Sequence, residues 1–192
     1  MTEDKRRKID EQIERFVKNL AKLDDGERAQ LKRNAGKTLA ESGKVMLLFR
    51  QLLPYGVPEG QEDQYFLIAT LYPFDKSQRQ KDRERQDQSE EEDAPAHLIG
   101  NLGGSFRHAR DEKNETGLNR RLARLLDASM AQLPFQLRQS VQFLTNNWVP
   151  INWSQLTDDV LNWARPSRYV QKEWARAYVA PQPKNEPTPE TQ

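Results

Sequence analysis

Apolar residues recur along this chain at spacings of three and four, the period of an amphipathic helix. Between Lys5 and Leu23 the stripe is Ile9, Ile13, Phe16, Val17 and Leu20. Asp24-Asp25-Gly26 predicts the end of this helix and the start of the next: Gly26 can turn left-handed and Asp25 can cap. In GERAQLKRNAGKTL the pattern turns Ala29 and Leu31 inward and Arg28, Lys32 and Arg33 outward, and Gly36 breaks the helix. Thr38 to Leu53 reads as one helix with a core face of Val45, Leu48, Phe49, Leu52 and Leu53. Pro54, Gly56, Pro58 and Gly60 end it. Asp63 to Tyr72 is apolar nearly all round, as a buried helix would be; a strand is the alternative.

After a polar interval the pattern resumes at His97. HLIGNLGGSFRHAR contains GxxGG but lacks a P-loop's GKS/GKT ending and preceding strand, so its glycines fit a close approach of helices or of a ligand backbone. Phe106 packs there, leaving Arg107 and Arg110 exposed. In LNRRLARLLDASM, Leu118, Leu122, Leu125 and Leu126 share one helical arc and Arg120, Arg121 and Arg124 the opposite one. Pro134 begins a helix striped by Leu137, Val141 and Leu144, with Arg138 off the stripe. Trp148-Val149-Pro150 breaks it. Asn152 or Ser154 caps a helix over Gln155 to Ala164, and Pro166-Ser167 restarts a last one with Val170, Trp174, Ala177 and Tyr178.

Charge adds one asymmetry. From Asp75 to Asp93 there are eight acids and five bases, so the rest of the 192 residues hold 25 bases against 21 acids. Residues 75–96 contain no aliphatic side chain longer than alanine; they read as a disordered or solvated acidic linker between an N-terminal and a C-terminal unit. The tail 181–192 is proline-rich and reads as disordered. Arg120, Arg121 and Arg124 repel one another by a few tenths of a kcal/mol per pair, and only Asp127 follows them. Their counter-charges are either acids on neighbouring helices or a phosphate backbone.

Catalytic chemistry finds little footing. With no cysteine there is no disulfide, cysteine-ligated zinc or thiol nucleophile, which fits a reducing cytoplasm. His97 and His108 have no motif-bound carboxylate partner. Asp158-Asp159 lie about 100° apart on a helix and read as first-turn acids rather than a metal pair. No metal or cofactor is expected. No apolar run approaches the roughly 20 residues of a membrane span. Trp148, Trp153, Trp163 and Trp174 lie at breaks and on apolar stripes, where core or partner contacts explain them better than base stacking does.

The order of blocks LGGSFRHAR, LNRRLARLLDA, LPFQLRQSVQFL and INWSQLTDDVLNWARPSRYVQKEWARAYV resembles the CasB family, the small subunit of the type I-E CRISPR surveillance complex Cascade. LDDGERAQLKRNAG, FRQLLPYGV and YFLIATLYPF resemble its first half. The resemblance implies an all-α fold of two small helical bundles, residues 1–74 and 97–180. It implies a non-catalytic antiviral-defence subunit, present with a second copy of itself among the other Cascade subunits. Such a subunit contacts crRNA, target DNA and the displaced strand of the R-loop, while base pairing reads sequence. By position, Lys32 and Arg33 match the family's basic pair after the LDDG turn. Arg107 matches the basic position after the LG segment, Arg120 and Arg121 the paired arginines, and Arg138 the LR step, where Gln139 replaces a frequent second arginine. With Arg28, Arg110 and Arg124 from the exposed faces, these form the expected nucleic-acid-binding set. The alternative is a structural adaptor whose basic residues pair with sibling subunits.

Overall fold

The computed structural model describes residues 3–75 and 100–181. The acidic linker beyond Asp75, His97 and the tail beyond Pro181 lie outside the described residues, so the expectations placed on them do too. Among the described residues the fold is all-helical, with nine α-helices and no strand. They are α1 (Glu3–Ala21), α2 (Asp25–Lys32), α3 (Met46–Leu52), α4 (Glu62–Leu71), α5 (Leu102–His108), α6 (Glu115–Leu126), α7 (Leu133–Asn146), α8 (Trp153–Leu161) and α9 (Tyr169–Val179). None of the described helices is long and apolar enough to cross a membrane.

The buried helix expected near residues 63–72 is α4. Tyr65, Phe66, Leu67, Ile68, Ala69, Thr70 and Leu71 are all buried. It packs against α2 on its own side and against α7 and α8 from the C-terminal half, so the core runs without a break through both halves. Phe16 meets Tyr65 edge-on at 4.9 Å between ring centroids, and Tyr72 meets Trp153 at 5.1 Å. Edge-to-face pairs of this kind add about 0.5–1.5 kcal/mol beyond the area they bury. The Trp153 indole N–H donates to the Asp75 carboxylate at 2.7 Å, a second link between the halves.

Three local expectations change. The cap of α2 is Asp24, not Asp25: its carboxylate accepts from the Glu27 N–H while Glu27 reaches back to the Asp24 N–H, a complete capping box, and Gly26 lies inside the helix. Thr38 to Leu53 is not one helix. Thr38 to Ser42 is turns, because the Glu41 carboxylate takes the Thr38 N–H and hydroxyl; a 3₁₀ turn, Gly43–Val45, then leads into α3. The helix expected over 155–164 starts two residues earlier, with Asn152 accepting from the Gln155 N–H as its cap.

GxxGG explains itself in the packing of α5 on α9. A Cβ on Gly103 would lie 2.0 Å from the Trp174 carbonyl oxygen, so only glycine lets the two backbones touch. The close approach is between helices. Gly36, at φ +91°, makes the left-handed turn beyond α2.

Candidate nucleic-acid interface

The three arginines of α6 stand over one cleft between α6 and α7. Its walls are Gly117, Arg120, Arg121 and Arg124 from α6, and Phe135, Gln136 and Gln139 from α7; its volume is about 410 Å³. The helix period builds it. Gly117, Arg120, Arg121 and Arg124 recur at three and four and share a face, while Leu118, Leu122 and Leu125 are buried on the other. On α7, Leu137, Val141 and Leu144 are buried, which turns Phe135 and Gln139 outward.

Arg121 is held in place. It donates to the Gln139 carbonyl oxygen at 3.2 Å and lies over the Phe143 ring at 5.0 Å. Arg120 and Arg124 are exposed and, among the described residues, have no ion-pair partner. The two acids on and beside α6 are engaged elsewhere. Glu115 lies 3.9 Å from Arg110, and Asp127 lies 3.7 Å from Arg168, whose guanidinium also donates to the Leu126 carbonyl oxygen. The cleft therefore gathers positive charge that its own helix does not neutralise, and a concave wall focuses such a field.

None of the remaining residues of the expected set lines this cleft. Arg138, adjacent to Gln139 in sequence, donates to the Ala35 carbonyl oxygen at 3.0 Å and so ties α7 to the turn after α2. Arg33, the C-cap of α2, is exposed close to that turn. Lys32 is exposed with its ammonium 4.6 Å from the Phe74 ring centroid. Arg107 and Arg110 end α5 half-buried, and Arg110 packs over the Tyr178 ring at 5.2 Å.

Arg28 is a correction. Expected on the outer face, it is only 4% exposed, while Ala29 is out in solvent. Its guanidinium donates to the Ala21 carbonyl at the C-terminal end of α1, at 3.3 Å, and to the Leu23 carbonyl in the turn that follows, at 3.0 Å. Arg28 and Leu31, three apart, share the inward face of α2; Ala29 falls about 100° away.

Asp158 and Asp159 are a second correction. They lie in the second turn of α8, not the first, and make separate structural bonds. Asp159 accepts from the Trp174 indole at 2.6 Å and from Gln155 at 3.0 Å; Asp158 accepts from Asn162 at 2.9 Å. Burial pushes the Asp159 carboxyl up to about 6, against the two hydrogen bonds that favour its charged form. Burial also raises the Asp158 carboxyl. Among the described residues no group of three or more His, Cys, Asp or Glu side chains is placed to hold a metal.

Trp153, Trp163 and Trp174 are core residues, each indole N–H bonded to a carboxylate or carbonyl, and Trp148 is exposed. The aromatic at the arginine cleft is Phe135, which periodicity did not single out. Its signal was present: it follows Pro134 and lies about 200° around the helix from Leu137.

Comparison with known proteins gives a consistent likeness. The family model for CRISPR-associated protein Cse2 matches residues 27–178. A Cse2 protein of Thermus thermophilus is 29% identical over 120 residues, 62% of this chain; the matched stretch spans 57% of that relative's length. The crystal structure of M. ruber CasB superposes with a TM-score of 0.66 at 25% identity, covering 87% of this chain and 92% of that one. A chain of a CRISPR RNA-guided surveillance complex shares the fold, with a TM-score of 0.69 at 22% identity over 88% of this chain and 92% of its own.

Proposed function

Since the chain belongs to the Cse2 family of CRISPR-associated proteins, we propose that it is a non-catalytic subunit of a crRNA-guided surveillance complex in the cytoplasm. In that reading it packs beside other subunits and a second copy of itself. Its arginines hold the sugar–phosphate backbone of guide-paired and displaced strands, while base pairing supplies sequence recognition. The fold shared with a chain of a CRISPR RNA-guided surveillance complex supports the assembly role. The observation that carries the nucleic-acid role is the α6–α7 cleft: Arg120 and Arg124 have no ion-pair partner among the described residues, and the acids at the two ends of α6, Glu115 and Asp127, lie beside Arg110 and Arg168 outside the cleft.

The test is salt dependence. Arg120→Ala with Arg124→Ala should lower the slope of log K against log salt by about 2, with equal loss for all sequences. An unchanged slope, or a loss that depends on base sequence, would sink the backbone role. The adaptor reading has its own support in Leu47 and Tyr55, apolar side chains 74% and 97% exposed. It predicts that charge reversal at Arg120 and Arg121 blocks assembly, visible as a missing subunit in the native mass of the complex, with binding by assembled complexes unchanged.

A further inference from the structure

We infer that Phe135 is a stacking platform for one unpaired base of a strand whose backbone lies on the arginines of the α6–α7 cleft. This rests on the reading of the cleft as a backbone-binding site and goes beyond it in assigning a side chain that meets a base. Phe135 is 61% exposed in the first turn of α7, and it lines the same cleft as Arg120, Arg121 and Arg124. A single exposed ring is ordinary on a protein surface. A ring sharing a cleft with three guanidinium groups and no carboxylate is not.

The occupant must satisfy both halves of the lining. An apolar protein side chain on Phe135 would bury the ring but strip water from arginines without neutralising them. An acidic segment would neutralise the arginines but would cover the ring only by bringing a second, apolar residue to it. A nucleotide carries an anion and a flat apolar face within one residue, and aromatic rings accept every base face. In a duplex those faces are stacked inside and cannot reach the ring. Gln136 and Gln139 add amide donors and acceptors that can meet the edge of an unpaired base. Arg121 is already fixed by Gln139 and Phe143, so that part of the lining is organised before the ligand arrives.

The experiment compares the full chain with Phe135→Ala and Phe135→Tyr. The probes are a short oligothymidylate carrying 2-aminopurine and a duplex of equal length, each titrated at several salt concentrations. Phe135→Ala should weaken single-strand binding about ten-fold, abolish 2-aminopurine quenching, and leave both the salt slope and duplex binding unchanged. Phe135→Tyr should restore the quenching. Equal loss on both probes, or no loss on either, overturns the inference and leaves the ring to a protein contact. Arg120→Ala with Arg124→Ala, run in parallel, separates the two levels. If the slope falls while Phe135→Ala is silent, stacking is wrong and the backbone site stands. If the slope does not move, the site itself is wrong and the inference goes with it. Unchanged melting temperature certifies each variant, since Phe135 is outside the core.

Discussion

Arg138 donates from its Nη1 to the carbonyl oxygen of Ala35 at 3.0 Å, across 103 positions of sequence. Gly36, left-handed at φ +91°, turns the chain just beyond that carbonyl, and a Cβ there would lie 3.7 Å from the same guanidinium nitrogen. The bond couples the end of α2 to α7, the helix that supplies one wall of the arginine cleft. Arg138→Ala is expected to destabilise the fold by about 1.5–3 kcal/mol, the range for a hydrogen bond to a charged group. Chemical denaturation checks this. If Arg138 is chiefly a tether, the salt slope of oligonucleotide binding changes less than for Arg124→Ala.

Arg28 should behave unlike the other basic residues of α2. Arg28→Ala removes bonds to the last carbonyl of α1, Ala21, and to that of Leu23 just beyond it, and empties a buried position, so a loss of about 2–3 kcal/mol is expected with no change in salt slope. Arg33→Ala, at an exposed position, should leave the denaturation midpoint within about 0.5 kcal/mol of the parent.

Gly103→Ala should be severely damaging. The new Cβ would lie 2.0 Å from a carbonyl oxygen and 2.7 Å from the Cα of Trp174, and backbone cannot step aside as a side chain can. Forcing α5 from α9 should cost about 3 kcal/mol or more. Gly43→Ala, with nothing within 4 Å, is the matched control and should melt like the parent.

Asp159 predicts a pH signature. Its folded-state carboxyl, raised from 3.8 to about 6 by burial, binds its proton more tightly than in the unfolded chain. Its contribution to stability is therefore complete below about pH 4 and is lost as pH rises through 6, about 3 kcal/mol in all. Asp159→Asn keeps an acceptor for the Trp174 indole but does not titrate. The stability difference between the two proteins should therefore shift in favour of the asparagine variant between pH 4 and 6, then level off. Urea titrations at several pH values measure it.

How far the sequence reads by itself depends on what each residue answers to. The apolar circumference of α4 can only mean burial, and the opposed arcs of leucine and arginine in α6 follow from a period of 3.6. Those were legible. Arg28 was not, because what draws it inward is the carbonyl end of α1, a neighbour that the spacing within α2 does not encode. Thr38 to Ser42 carries helical spacing, yet the Glu41 side chain captures the Thr38 backbone and outcompetes it. Asp159 looks like a surface acid until Trp174 arrives from fifteen positions away. Phe135 was readable only as a residue off its stripe; that its ring joins three arginines depends on how α6 lies against α7.

The Trp153 indole grips Asp75 while its ring leans on Tyr72, and α4 lies beneath both halves. Such a joint makes the two halves share one core rather than own one each. Prying the halves apart would therefore break this bond and this ring contact together, along with the packing of α4 on α7 and α8.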